Sequence, residues 1–180
     1  LHGPHVKRAA SKAEWVQALR ADIRGFMESR ACSRAVGVWC GSTEVYRTPT
    51  EVHSSLAAFE DGLRASHDDI APSQIYAYAC LKMGVPYAHG APNLSVDTPA
   101  LLELAVRRGV PHMGSDGKTG ETLVKTVLAP LFTGRALRVL SWEGYNMLGN
   151  RDGLVLDDPR AKASKTRSKD VALRSILKDD

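Results

Sequence analysis

Short apolar runs alternate with amphipathic helical stretches along the chain, which predicts an α/β protein with a mostly parallel sheet covered by helices. Two details support the parallel arrangement. The stretches between the runs have the length of helices rather than of hairpin turns. Runs such as 35–40 (AVGVWC) are also continuously apolar, as strands buried on both faces are.

In chain order, 12–30 places Trp15, Leu19, Ile23, Phe26 and Met27 at spacings of three and four, an amphipathic helix with Ser11 in position to cap it. The run 35–40 is the first strand and ends in Gly41-Ser42-Thr43-Glu44. Thr50 is expected to cap a helix reaching about Ala65, with Leu56, Phe59 and Leu63 inward. Another helix starts around 69–73 and runs through Tyr76, Cys80 and Leu81 to Gly84, which suits a C-cap. A strand over 85–88, a helix over 98–108 stopped by Gly109, and a strand over 110–113 follow. The reading then predicts a helix over 118–132, a strand over 136–142, and a last helix over 169–177 capped by Ser168.

Composition narrows the function classes. Hydrophobic residues make up 43% and charged residues 24% of the chain, a balance ordinary for a soluble globular protein, and no stretch has the length and apolarity of a membrane span. Cys32, Cys40 and Cys80 are odd in number and widely spaced, so reduced cysteines in a cytoplasmic protein are expected. The histidines form no metal-ligand spacing, and no metal is expected. The net charge of +4 sits in 159–180, where seven Lys or Arg face three Asp. Basic residues there suit a phosphorylated small molecule or a solvated helix face; without aromatic interleaving they do not suggest a nucleic-acid surface. The chain opens on Leu1 rather than Met, and a piece of a longer protein is expected.

Parallel sheets bind ligands at the carboxyl ends of their strands. Four predicted strand ends are rich in Gly and small polar residues: 39–44 (WCGSTE), 89–93 (HGAPN), 114–122 (GSDGKTGET) and 145–153 (YNMLGNRDG). In the third, Gly114, Gly117 and Gly120 allow close backbone approach, the following helix offers free N–H groups, and Lys118, Thr119 and Thr122 add a charge and hydroxyls. That combination suits phosphate, although a plain turn before a capped helix uses the same residues. It is not a nucleotide P-loop, because the first glycine of that motif would fall on His112. No GxGxxG fingerprint occurs, so the chain does not encode a self-sufficient dinucleotide-binding domain. Lys165 and Lys169 are four apart and would face the same way on a helix, an arrangement suited to phosphate or to a developing alkoxide.

Together these segments resemble the inositol-phosphate synthase family. Residues 39–44 are similar to its WTANTE segment. Ile70-Ala-Pro-Ser73, Gly84-Val-Pro-Tyr87 and Gly90-Ala-Pro-Asn93 match its IAPS, GVPY and GSPQN run, and 114–122 are similar to its GDDxKSGQT loop. Residues 145–153 match its YNHLGNNDG motif and 164–169 its SKxxSK pair, all in family order from about Ala35 to Leu177, in a form most similar to bacterial members.

The resemblance implies a partial Rossmann-like NAD-binding domain over 1–135, leading into the start of the synthase catalytic and oligomerisation domain over 136–180. The implied reaction converts D-glucose 6-phosphate to 1D-myo-inositol 3-phosphate, for inositol and phospholipid biosynthesis. It proceeds by oxidation with NAD, enolisation, intramolecular aldol closure and reduction, in a cytoplasmic enzyme whose parent is a homotetramer. Carried over by position, Thr119, Gly120, Glu121, Thr122 and Lys169 hold the substrate phosphate, and Asn146, Leu148 and Asn150 line the sugar site. Lys165 serves proton transfer or alkoxide stabilisation, with Lys169 and Asp116 in the same catalytic set. Gly41, Ser42, Gly90, Ala91, Asn93 and Asp152 lie along the NAD.

Three departures stand out: Glu121 where the family has Gln, Cys40-Gly41-Ser42 in place of TAN, and Arg151 in place of Asn. They leave open a synthase-related NAD enzyme acting on another sugar phosphate, or a non-catalytic phosphate-binding or oligomerisation module. The isolated 180 residues are expected to be inactive, because the family's glycine-rich NAD fingerprint and later catalytic residues lie outside them.

Overall fold

The computed structural model describes residues 7–117, 120–144 and 152–177. It divides into two compact units: 1–41 with 47–90 and 94–114, and 42–46 with 91–93 and 115–180.

The first unit holds α1 (Lys12–Ser29), β1 (Gly37–Trp39), α2 (Leu56–Arg64), α3 (Pro72–Lys82), β2 (Tyr87–His89), α4 (Pro99–Arg108) and β3 (His112–Met113). The strands pair in parallel in the order β1-β2-β3, as the intervening helices require. Val38, Ala88 and Met113 stand side by side on one face of the sheet. The other face carries Trp39, Tyr87 and His89, and α3 lies on it. The Trp39 ring meets Tyr76 edge-on at 5.2 Å, and the Tyr87 hydroxyl donates to the Ser73 carbonyl at 3.2 Å. The core beneath the helices is Phe59, Leu63, Ile70, Ile75, Leu81, Leu101 and Leu104.

Local chemistry explains the boundaries. The Ser11 Oγ accepts from the Glu14 N–H at 3.2 Å and opens α1. Gly109, at φ +61°, closes α4 in the left-handed conformation that glycine adopts cheaply. Gly84, at φ +75°, does the same just past α3. The helix expected from Thr50 is broken: Glu51–His53 form a 3-10 turn, and α2 begins afresh behind Ser55, whose Oγ accepts from the Ala58 N–H. A buried histidine imposes the break. His53 Nδ1 accepts from the Thr50 N–H at 3.0 Å, and its Nε2 meets Gln74 Oε1 at 3.2 Å. Gln74 Oε1 also accepts from the Ala71 N–H, which ties the 3-10 turn to the start of α3.

The second unit holds α5 (Glu121–Gly134), α6 (Asp152–Leu156) and α7 (Pro159–Leu177), with α7 packed along α5. Two expectations fail here. Residues 136–142 are not a strand; Ala136 has φ +53°, Leu137 and Leu140 are exposed, and no described strand lies beside them to supply a ladder. The last helix begins ten residues earlier than expected, at Pro159. Asp158 is responsible: its carboxylate accepts from the Arg160 N–H at 2.8 Å ahead of a proline in the first helical position. The hydrogen bonds and charge of Arg160 hold the Asp158 carboxyl below its usual range. Lys165 and Lys169 therefore lie inside one helix rather than at its mouth.

Candidate functional site

In the first unit, glycines mark the carboxyl ends of all three strands for a steric reason. The Gly90 N–H donates to the Trp39 carbonyl at 3.0 Å, and a Cβ on Gly90 would sit 2.9 Å from that oxygen. A Cβ on Gly114 would lie 2.1 Å from the His89 carbonyl oxygen, and its φ of +102° suits glycine alone. A Cβ on Gly41 would meet the Trp39 ring at 2.6 Å. The glycines let neighbouring strand ends approach each other, and Gly41, Gly90 and Gly114 remain exposed.

In the second unit, the three short loop pieces bind one another. Asn93, buried, accepts from the Glu44 N–H at 2.8 Å through Oδ1 and donates from Nδ2 to the Ser42 carbonyl at 3.5 Å. The Asp116 N–H donates to the Ala91 carbonyl at 3.0 Å, and Asp116 holds a left-handed φ of +72°. The segment 42–46 is fastened to α7: the Tyr46 N–H donates to the Arg160 carbonyl at 3.0 Å, and the Arg167 guanidinium stacks 4.4 Å from the Tyr46 ring centre.

The helix α5 opens at Gly120, which has no side chain to cap it, so its first-turn amides carry the positive end of the helix dipole. Thr122, Lys125 and Ala129 are its buried face. The Lys125 ammonium lies 3.0 Å from Glu121 Oε1, one turn back. On α7, Ala161 is buried, and Lys165 follows one turn later, half-buried.

Among the expected site residues, Asp116, Ala91, Asn93 and Ser42 belong to the bound loop pieces, and Gly120, Glu121 and Thr122 open α5. Thr119, Asn146, Leu148 and Asn150 lie outside the described residues, as do the side chains of Asp152 and Lys169. The sequence reading missed Lys125. Its signal was the Glu-to-Lys spacing of four at the start of a helix.

The family model described as myo-inositol-1-phosphate synthase, an NAD-binding domain, matches residues 2–164. The chain belongs to the myo-inositol-1-phosphate synthase family. It is 46% identical to inositol-3-phosphate synthase 1 of Bacteroides thetaiotaomicron, over 98% of this chain and 41% of that protein. It is 33% identical to the inositol-3-phosphate synthase of Saccharomyces cerevisiae, over 94% of this chain and 31% of that one. The crystal structure of inositol-3-phosphate synthase from Caenorhabditis elegans superposes with a TM-score of 0.91 at 29% identity, over 99% of this chain and 35% of that one. The chain thus spans between 31% and 41% of the length of these synthases. The partial Rossmann-like α/β fold expected from the sequence agrees with both the family and the superposition.

NAD is the cofactor of a domain in this family, and part of the expected residue set fits it. Gly41 and Gly90 of the first unit are exposed at strand ends and carry no side chain, which leaves backbone there for a flat ligand to approach. Ala91 and Asn93 are buried and shape the loops instead.

Proposed function

We propose that the protein carrying this chain is an inositol-3-phosphate synthase, converting D-glucose 6-phosphate to 1D-myo-inositol 3-phosphate with NAD. The packing of α7 against α5 carries the reading, since it joins the helix bearing Lys165 to the uncapped helix that opens at Gly120. The α5 amides, with Thr119, Gly120, Glu121, Thr122 and Lys169, bind the substrate phosphate. Lys165 moves a proton to or from the substrate or stabilises a developing alkoxide, and Asp116 sets the charge around it. Asn146, Leu148 and Asn150 hold the sugar. NAD, when bound, supplies the hydride acceptor and donor; Gly41, Ser42, Gly90 and Asp152 line it, while Ala91 and Asn93 keep the loops in place.

The enzyme is cytoplasmic and homotetrameric in this reading, and no described helix is long and apolar enough to cross a membrane. The reading also divides the chain near residue 135 into an NAD-binding part and the start of a catalytic part; that division is one of sequence, since α5 and α7 pack within one compact unit. The test is product formation from glucose 6-phosphate by the complete protein with NAD. Lys165→Ala is expected to lower turnover about a hundredfold or more with little change in KM, and Lys169→Ala to raise KM. Wild-type kinetics in both variants would overturn the two roles, and no inositol phosphate from the wild type would overturn the activity.

A further inference from the structure

Helix α7 carries Lys165 but has little of its own to fix the direction of that side chain. Among its described residues Ala161 alone is buried, and a single methyl group in the packing leaves rotation about the helix axis loosely held. The segment 42–46 supplies the missing constraint. The Tyr46 N–H donates to the Arg160 carbonyl at 3.0 Å. About two turns further along, the Arg167 guanidinium stacks 4.4 Å from the Tyr46 ring centre, and its Nη1 donates to the Tyr46 hydroxyl at 2.6 Å. Arg160 and Arg167 share one stripe of the helix, about a third of a turn away from the stripe of Ala161 and Lys165. One tyrosine thus grips α7 on both sides of Lys165, by its backbone before it and by its ring after it. The far end of the segment is anchored separately, because buried Asn93 accepts from the Glu44 N–H at 2.8 Å. A planar guanidinium laid on a ring and bonded to its hydroxyl is also a directed contact, which the point charge of a lysine would not reproduce.

We propose that Tyr46 and Arg167 are positioning residues for Lys165, a clamp that sets the rotation of α7 and with it the place where the Lys165 ammonium meets the substrate. The proposal rests on the synthase reading of Lys165. Neither side chain touches substrate or cofactor in this account; both act through the helix. A shift of about 1 Å at a reacting group costs up to about a hundredfold in rate, and the residues that hold phosphate and sugar are others, so releasing the clamp falls on turnover rather than on binding.

The test is steady-state kinetics on the complete enzyme, with glucose 6-phosphate and NAD varied in turn. Tyr46→Ala and Arg167→Met are each expected to lower kcat about tenfold, with both KM values within about twofold of wild type. The double variant is expected to be no slower than either single one, because the two side chains act through each other. Tyr46→Phe keeps a ring against the guanidinium and is expected to recover kcat to within about threefold of wild type. A pair that merely fastens a surface segment behaves differently: kcat stays unchanged while the melting temperature falls, or both KM values rise in step with the loss of kcat. Either result overturns the proposal, as does a multiplied loss in the double variant. If Tyr46→Ala does not fold, Arg167→Met decides by the same split, since that side chain is exposed. If the wild type does not turn over glucose 6-phosphate, the synthase reading falls, and the clamp is read by acetic anhydride labelling of the same variants, resolved by mass spectrometry. Half-buried Lys165 is then expected to acylate about threefold faster or more than in the wild type, with exposed Lys162 of the same helix unchanged. Equal Lys165 rates overturn the clamp.

Discussion

Cys80 shows how one buried side chain makes stability depend on pH. It sits on α3 beneath β1, close enough that a Cβ on Gly37 would lie 2.6 Å from its Sγ. Burial pushes the thiol up to about 11 from an ordinary 9.0. Above pH 9 the unfolded chain releases this proton while the folded chain keeps it, so the unfolded state binds fewer protons and stability falls as pH rises from 9 to 11. The full effect is roughly 2–3 kcal/mol at about 1.4 kcal/mol per unit. Tyr78 adds to the loss at higher pH, because burial and the adjacent Glu60 carboxylate raise its hydroxyl in the same direction. Urea unfolding at pH 8 and pH 10.5 should therefore show a smaller loss for Cys80→Ala than for the wild type; equal losses would mean the thiol ionises freely in the fold.

At the scale of elements, helix propensity yields to packing at predictable places. Gly62 lies inside α2, where glycine costs about 1 kcal/mol relative to alanine. It is there because a Cβ would stand 2.2 Å from Val52 Cγ2 and 3.0 Å from Ile70 Cδ1, so α2 can lie directly on the 3-10 turn and the start of α3. Gly25, inside α1, faces open space. Gly25→Ala is expected to stabilise by about 0.5–1 kcal/mol and Gly62→Ala to destabilise by about 1–3 kcal/mol, opposite signs for one substitution. Thermal or urea unfolding of the two variants measures both; a stabilised Gly62→Ala would show that the turn can move away freely. Helix α7 teaches a related lesson. Its start is written in Asp158-Pro159, a stronger signal than Ser168, since the Asp158 carboxylate caps the first turn and proline suits the first helical position.

At the scale of the molecule, each unit leaves apolar surface open. In the first, Val38 and Met113 flank Ala88 on the face of the sheet away from α3, at 62% and 69% exposure, where parallel sheets normally carry cover on both faces. In the second, Leu123, Val124, Val127 and Leu131 stand exposed on α5. Patches of this kind bind hydrophobic dyes. The 180-residue chain is expected to enhance the fluorescence of anilinonaphthalene sulfonate, and Val38→Lys with Met113→Lys to reduce that signal at unchanged far-ultraviolet circular dichroism. An unchanged signal would locate the dye elsewhere.

The sequence by itself determined the alternation of helices and parallel strands as far as β3, the caps at Ser11, Gly84 and Gly109, and the family, because these rest on local periodicity, on capping residues and on motifs that stay contiguous in the chain. It also marked Gly41, Gly90 and Gly114 as special. Only the tertiary structure gave the reason, since the atoms that exclude a Cβ there are the carbonyl oxygens of Trp39 and His89 and the Trp39 ring. Tertiary structure likewise decided that 136–142 has no described strand to pair with, that His53 breaks a helix, and that Lys125, on the buried face of α5, meets Glu121. Strand pairing and burial are properties of what lies opposite a residue, and no window along the chain contains its opposite.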